Sequence, residues 1–240
     1  MAGQVVDTSS AAEFMGEVLE RISATELTMI TTELADKHLR MKEALRYGPP
    51  DEDGVRTILR LVFSTRRRAA TLIDTLGADL LGKAMFELVW GTDPIEKRWN
   101  AFDSVCSQTA DLTLDLPGEL LHFTRPGEYW LWTRWILDPS IGTGALPLVT
   151  MDDVELEATD RGQTYVLVGR ATAFVSETAR ATGFTAQQGG PFDVDVFLAA
   201  VYGIYMYTVL RMRMTQEFTR LIPELPALIR RLLGIYYPEA

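Results

Sequence analysis

The sequence predicts a mainly α-helical protein, a single helical domain with flanking N-terminal helices and a C-terminal helical arm. Apolar residues recur every three or four positions along most of the 240 residues, which is the period of one helix face. Glycines and prolines fall between these stretches, where helices end. The only candidate strand is 164–168, and it fits the start of a helix equally well.

The first half of the chain predicts five helices, each delimited by a capping or a helix-breaking residue. Ser9-Ser10 caps the first helix. The second begins at Thr25 and ends at Tyr47-Gly-Pro-Pro50, because the prolines cannot continue the hydrogen-bond ladder. Pro94 fits the first turn of the fifth. The third, fourth and fifth helices are expected at 52–76, 80–90 and 95–110.

The second half predicts four more helices. A short one covers 118–124, and a tryptophan-rich segment and a Gly- and Pro-rich loop at 138–147 follow it. The other three are expected at 169–182, 192–221 and 227–233, with Pro223 and Pro226 breaking the chain before the last. In chain order the helices form three blocks of one compact domain: N-terminal helices (1–79), a central helical unit (80–200) and the end of the long helix with the arm (201–240).

Composition and charge narrow the class of protein. Apolar residues make up 47% of the chain and charged residues 23%, as in ordinary globular proteins. The net charge of −10 repels a phosphate backbone unless basic residues gather on one face, which disfavours nucleic acid as a partner.

The cysteine content and the apolar runs predict a cytoplasmic protein without a membrane span. Cys106 is the single cysteine and cannot form an internal disulfide, and the N-terminus lacks the pattern of a secretory signal. The longest apolar run, 196–210, is shorter than the roughly 20 residues that a membrane helix needs. We expect it to be a buried helix.

Few residues offer chemistry. Glu119 and His122 form one Glu-x-x-His pair, the unit that di-iron carboxylate bundles use twice. The other histidine, His38, lies on the apolar stripe of the second helix, and Cys106 shares a face with Phe102, as a small buried hydrophobe does. We therefore predict no catalytic residue, no metal and no cofactor. An enzyme that acts on a small molecule through Glu119, His122 and Cys106 is kept as an alternative.

Arginines cluster at Arg66, Arg67 and Arg68. A solvated helix face is the simpler interpretation. A docking surface for an acidic partner or a phosphate backbone is the functional interpretation. These arginines, together with Gly118, define an alternative in which the protein binds nucleic acid.

The five tryptophans all lie between Trp90 and Trp135. Their offsets would spread those of the densest segment around a helix, so they cannot all face one side. Tyr129, Trp132 and Arg134 combine aromatic and arginine side chains in the way typical of binding hot spots, although a role in the core also fits this cluster.

The same region resembles the helical core of helix-hairpin-helix DNA glycosylase-like proteins. The likeness is carried by Glu96-Lys-Arg-Trp-Asn-Ala-Phe102 and by Pro117-Gly-Glu-Leu-Leu-His-Phe-Thr-Arg-Pro-Gly-Glu-Tyr-Trp-Leu-Trp132. It extends over about residues 80–200 and implies that a Pro-x-x-Tyr turn leads into a further helix. Active members have an aspartate after that turn, where this chain has 132–134 (Trp-Thr-Arg). The resemblance therefore implies a recognition or structural module without glycosylase activity.

The C-terminal arm, 221–237, is too apolar to lie free in water. Its helical stripe is Leu225, Leu228, Ile229, Leu232 and Leu233. The stripe could cover its own domain, complete a neighbouring subunit or attach to an anionic membrane surface, and the sequence leaves all three open.

Taken together, these features predict a non-catalytic accessory protein of the cytoplasm that binds a protein partner or itself. The residues expected to make the contacts are Tyr129, Trp132, Arg134, Leu228 and Leu232. A helix-hairpin-helix-like nucleic-acid-binding protein is the first alternative, and the small-molecule enzyme is the second.

Overall fold

The computed structural model describes residues 4–181, 190–213 and 223–235 and confirms the mainly α class. Its helices are α1 (Thr8–Arg21), α2 (Ala24–Ala44), α3 (Glu52–Leu61), α4 (Ala69–Leu76), α5 (Ala78–Trp90), α6 (Ile95–Val105), α7 (Ala110–Thr113), α8 (Leu116–Thr124), α9 (Arg161–Ala181), α10 (Asp193–Arg213) and α11 (Leu225–Leu232). Strand pairing in these ranges is limited to two isolated antiparallel bridges, Val6 with Thr150 and Asp138 with Thr143.

The chain forms two compact units, each assembled from segments that are distant in sequence. Unit 1 comprises 1–34, 135–154 and 171–240, and unit 2 comprises 35–134 and 155–170. The blocks expected from the sequence, 1–79, 80–200 and 201–240, follow chain order and so do not coincide with these units.

The predicted third helix, 52–76, is wrong because it is two helices. The helix α3 ends at Leu61, and a 3₁₀ turn at Arg66–Arg68 leads into α4. The hydroxyl of Thr65, which is fully buried, donates to the carbonyl of Leu59 at 2.7 Å. This bond satisfies a carbonyl that would otherwise lack a partner at the end of a helix, so the chain can turn there.

The predicted helix 95–110 is also interrupted. The helix α6 ends at Val105, and a 3₁₀ turn at Ser107–Thr109 precedes the short α7. The hydroxyl of Thr109 donates to the carbonyl of Cys106 at 3.2 Å, again at a helix end.

The helix α8 is the centre of unit 2, and all nine of its residues are buried. Gly118 lies in its first turn, where the backbone of Trp132 crosses the helix. A Cβ at position 118 would overlap the carbonyl oxygen of Trp132, so this crossing requires glycine.

The tryptophan-rich segment corrects another expectation, because no helix directly follows the Pro-x-x-Tyr turn. Residues 126–128 form a turn, 129–133 are irregular and 134–136 turn again. The ring of Trp132 stacks on Trp99 at 5.1 Å between centroids, and Trp99 stacks on Tyr165 at 4.4 Å. Because residues 129–133 are not helical, this segment can direct the ring of Trp132 into the interior of unit 2.

The ambiguous segment 164–168 is helical, since α9 begins at Arg161, eight residues before the predicted start at 169. Asp160 accepts from the backbone N–H of Gln163 at 2.9 Å, in the manner of an N-cap. Asn100 also fixes this start, because its side chain bonds Asp160 and the N–H of Gly162, both at 2.9 Å. The predicted end at 182 lies outside the described residues.

In unit 1, α1 packs against α10, and α10 packs against α11. The cap of α1 is Asp7 and not a serine: its carboxylate accepts from the N–H groups of Ser9 and Ser10 at 3.0 and 3.1 Å. Pro226 lies in the first turn of α11 and does not break it, because a proline there removes no intrahelical hydrogen bond.

The long apolar run 196–210 is helical, as predicted, and lies within α10. The described helix ends at Arg213, so the predicted continuation to 221 falls outside the described residues. In the described ranges, none of the helices has both the length and the apolar character needed to cross a membrane.

Gly118→Ala tests the close crossing at α8. We expect a loss of about 3 kcal/mol or more in the free energy of unfolding, because the blocking atom is backbone and cannot move aside cheaply. Gly16→Ala in α1 is the matched control: a Cβ there meets nothing within 4 Å, and alanine should stabilise by about 0.5–1 kcal/mol. Urea denaturation measures both, and equal effects of the two changes would contradict the crossing.

Asp193, in the first turn of α10, provides a test in pH. The pKa of its carboxyl is raised to about 6 chiefly by burial, while Arg180 opposes the rise and the nearby Asp195 adds to it. A carboxyl with a raised folded pKa favours the folded state while protonated, so this contribution is lost as pH rises from about 4 through 6. Asp193→Asn should therefore be more stable than the wild type at pH 7, and the difference should shrink as pH falls from about 6 to 4. Asp74 is exposed and serves as the matched control. The same pH-dependent difference in Asp74→Asn, or a difference for Asp193→Asn that does not change with pH, would contradict this assignment.

Candidate functional site

An open groove of about 320 Å³ lies between α5 and α6 in unit 2. Leu88 and Phe102 are buried in its floor. The charged residues of its rim are Lys83, Glu87, Asp93, Lys97 and Arg98, and the remaining lining residues are Leu80, Ala84, Ala101 and Val105. The groove therefore offers apolar surface bordered by charges of both signs.

Residue size explains why the groove exists. Ala84 and Ala101 are lining positions on the two facing helices, each spaced one helical turn from larger apolar neighbours. Because a methyl group fills little of the space between two helices, the surface is left concave at this point. Leu80, with 52% of its surface exposed, stands at the edge of the concavity.

Arg98 connects the groove to the tryptophan-rich segment. Its Nε donates to the carbonyl of Asp93 at 2.8 Å, one Nη donates to the carbonyl of Leu88, and the other donates to the hydroxyl of Tyr129 at 2.7 Å. These bonds hold the guanidinium in one orientation at the groove wall, and they place Tyr129 beside the groove.

A stack of rings and guanidinium groups continues from Tyr129. The guanidinium of Arg125 lies 5.1 Å from the ring centroid of Tyr129 and 5.1 Å from that of Trp90, and Arg98 lies 5.6 Å from Tyr129. Trp90 in turn donates to the carbonyl of Leu45 at 2.9 Å. Tyr129 is half-buried and two guanidinium groups lie against its ring, so it offers a rigid aromatic edge.

The Glu-x-x-His pair on α8 lies inside the core. Glu119 and Lys37 of α2 form an ion pair with 2.5 Å between Nζ and Oε2, and both residues are at most 3% exposed. The Lys37 ammonium also lies 4.1 Å from the ring centroid of Phe123. Burial raises the pKa of Glu119, and the charge and hydrogen bond of Lys37 oppose the rise.

Both histidines hold backbone carbonyls. The Nδ1 of His122 donates to the carbonyl of Tyr129 at 2.8 Å, and the Nδ1 of His38 donates to the carbonyl of Phe123 at 2.9 Å. His122 is completely buried, whereas His38 is half-buried. In the described ranges, no three His, Cys, Asp or Glu side chains are placed so that they could hold a metal ion.

Cys106 is buried at the end of α6. Burial raises the pKa of its thiol to about 11, which keeps the sulfur protonated at neutral pH. Since a thiolate is the reactive form of cysteine, this environment matches the small buried hydrophobe inferred from the sequence.

The residues predicted to bind a partner differ in accessibility. Tyr129 is half-buried and accepts a hydrogen bond from Arg98, which lines the groove. Trp132 is only 5% exposed and is occupied by its stacking on Trp99, so little of the ring can meet a partner. Arg134 is partly exposed and pairs with Asp115 at 3.1 Å, while its backbone N–H donates to the same carboxylate at 2.8 Å.

The arm residues lie in unit 1. Leu225 and Ile229 are buried, and Leu225 and Leu228 both approach the backbone of α10 at Gly203. Leu228 and Leu232 are half-buried at the edge of this packing. The described part of the arm therefore packs on its own unit, which was the first of the three interpretations.

The basic cluster and Gly118 are separate features. Arg67 and Arg68 are exposed on the 3₁₀ turn before α4, with Arg66 half-buried beside them. Gly118 is buried in α8 and so forms no surface hairpin that could grip a phosphate. The nucleic-acid alternative had combined these arginines with Gly118 in one binding site, and the burial of Gly118 corrects that combination.

Sequence reasoning missed Lys37 and the groove. The signal for Lys37 was present, because this lysine stands on the apolar stripe of α2, three residues after Leu34 and four before Met41. The prediction had placed His38 there instead. The facing alanines, Ala84 and Ala101, gave no comparable signal, since their opposition depends on how the two helices pack.

No protein-family model matches the chain, and searches of curated proteins and of solved structures found no match. The resemblance to helix-hairpin-helix glycosylase-like proteins stays a prediction.

Lys37 and Glu119 can be tested as a pair. Lys37→Met and Glu119→Gln should each lower the free energy of unfolding by about 3–5 kcal/mol, because each leaves the other charge in the core without this partner. The double variant should lose less than the two single losses combined. Urea denaturation of all four proteins closes this cycle, and additive losses would show that the pair is not coupled.

Proposed function

We propose that this chain is a non-catalytic interaction protein that holds an apolar segment of a partner protein, or of a second copy of itself, in the α5–α6 groove. The observation that carries the proposal is the groove itself, an accessible concave surface with a buried apolar floor and a charged rim. Protein interfaces commonly combine these features. We place the protein in the cytoplasm because Cys106 is its only cysteine.

The size of the groove favours one or two large side chains over an extended ligand. At about 320 Å³ it is near the lower end of the range for ligand pockets. A bulky apolar residue of a partner would cover Leu80 and reach Phe102 between the two alanines. The rim carries two lysines, Lys83 and Lys97, and two acidic residues, Glu87 and Asp93. Charges of both signs on the rim favour a partner segment with charged residues on both sides of its apolar residue.

Tyr129 and Arg98 support a contact that continues past the groove. Both are held by hydrogen bonds and by stacking before any partner arrives, so that little side-chain entropy is lost when they are covered. Arg134 is partly exposed, and its guanidinium could form an additional charged contact with a partner. The half-buried Leu228 and Leu232 of α11 offer a second surface.

The burial of the candidate catalytic side chains supports binding over catalysis. Glu119, His122 and Cys106 are at most 3% exposed, so a substrate could reach them only if the core opened. Their bonds to Lys37 and to the Tyr129 carbonyl serve the packing of α8.

Leu80→Glu tests the groove. Covering an exposed leucine contributes about 1.5 kcal/mol or more, so a charge in its place should weaken binding by about tenfold or more. The probes are peptides selected from a random displayed library on the wild-type protein, with affinities measured by fluorescence polarisation. Circular dichroism should show an unchanged helical content, because Leu80 is half exposed.

Leu39→Glu in α2 is the matched control, since Leu39 is 61% exposed and does not line the groove. It should bind the selected peptides as the wild type does. Equal loss in both variants, or peptides that bind Leu80→Glu with full affinity, would overturn the proposal. If the partner is a second copy, sedimentation should show a dimer that Leu80→Glu dissociates and Leu39→Glu leaves intact.

A further inference from the structure

The corner between α3 and α4, residues 60–68, exposes an aromatic ring among arginines. Phe63 is 45% exposed, although it follows directly on the buried Val62. The guanidinium of Arg66 lies 4.6 Å from the ring centroid of Phe63. Arg60, Arg67 and Arg68 are exposed. We call this surface the arginine corner.

The arginine corner is strongly basic in a chain whose net charge is −10. From position 54 to position 73 the sequence contains five arginines, at 56, 60, 66, 67 and 68, and no acidic residue. The arginine at 56 pairs with Glu52, and the other four lie at the corner. A positive field of this kind is local, because acidic residues outnumber basic ones elsewhere in the chain.

Helix stability accounts for Arg60, which lies in the last turn of α3, but not for the other three arginines. Cations are favourable in the last turn of a helix, where the backbone dipole is negative. Arg66, Arg67 and Arg68 instead immediately precede the first turn of α4, at the positive end of that dipole, and that turn carries no acidic residue. The exposed Arg67 and Arg68 add to the positive potential at this helix end, which makes it favourable for an anion.

We propose that the arginine corner binds single-stranded nucleic acid, with the guanidinium groups of Arg67 and Arg68 on phosphates and an unpaired base stacked on Phe63. Arginine forks match phosphate oxygens in geometry, and an exposed aromatic ring offers a face to any base. The Arg66 guanidinium lies over the ring of Phe63 and orients it.

The alternatives fit the corner less well. In a duplex the base faces are already stacked, so Phe63 would contribute nothing. Attachment to an anionic membrane needs a wider apolar face than one half-exposed ring. An acidic protein segment satisfies the arginines but leaves Phe63 without a flat partner. The net charge of −10 restricts the contact to a short stretch of strand, since a longer one would meet acidic surface.

Fluorescence anisotropy of the full chain with a labelled oligothymidylate of about eight nucleotides tests the proposal. We expect binding that weakens with salt. Phe63→Ala should weaken it about fivefold or more, as expected for the loss of one stacked base. Arg67→Gln should weaken it and lower the magnitude of the log–log salt slope by about 0.7, as expected for one phosphate contact on a single strand.

Matched controls come from exposed residues of the same types elsewhere. Phe174 is 48% exposed, and Arg170 is exposed. Phe174→Ala and Arg170→Gln should bind the oligonucleotide as the wild type does. A duplex of equal length, polyglutamate and inorganic polyphosphate should each compete weakly, because none of them offers an unpaired base.

Three outcomes would overturn the proposal: no binding at low salt, equal loss in Phe63→Ala and Phe174→Ala, or competition by polyphosphate or polyglutamate as strong as by the unlabelled oligonucleotide. Vesicles containing anionic lipid that bind the wild type and compete with the oligonucleotide would assign the corner to a membrane surface instead. No residue of the arginine corner lines the α5–α6 groove, so failure here and failure of the proposed function are separate results.

Discussion

The ion pair between Lys37 and Glu119 is the constraint around which unit 2 is built. Two charges at most 3% exposed are stable only if they face each other closely and their remaining polar atoms are satisfied. The pair therefore fixes where α2 must lie against α8. Hydrophobic burial alone, which has no direction, would allow either helix to slide or rotate. The ion pair allows only one position of α2 along α8, and this specificity costs the free energy of removing both charges from water.

The two histidines extend this register to the backbone. His38, next to Lys37 on α2, bonds the Phe123 carbonyl near the end of α8, and His122 bonds the Tyr129 carbonyl just beyond it. The segment that leaves α8 is thus fixed before it crosses the helix at Gly118. The Glu-x-x-His pair, which in other bundles holds metal, here orders the core and the chain that follows it.

The helices could be read from the sequence, but their interruptions and partners could not. Apolar spacing located most of the described helices, because burial of one face dominates helix formation in proteins. It did not separate α4 from α3, did not predict α7, and began α9 eight residues late. The breaks after Leu61 and Val105 escaped it, since Thr65 and Thr109 stop the helices through hydrogen bonds that depend on local folding. The course of the tryptophan segment was misjudged for a related reason, because ring stacking within unit 2 outweighs local preference. The groove depends on which alanines face each other, and the order of residues along a chain does not encode this directly.

The placement of the tryptophans has a consequence for spectroscopy. Trp90, Trp99, Trp130 and Trp132 belong to unit 2, and only Trp135 belongs to unit 1. The stack of Trp99, Trp132 and Tyr165 is buried, so its emission and near-ultraviolet circular dichroism change strongly when that packing is lost. An unfolding curve followed by tryptophan fluorescence therefore reports mainly on unit 2. Far-ultraviolet circular dichroism follows the helices of both units, and a gap between the two curves would measure how independently the units melt.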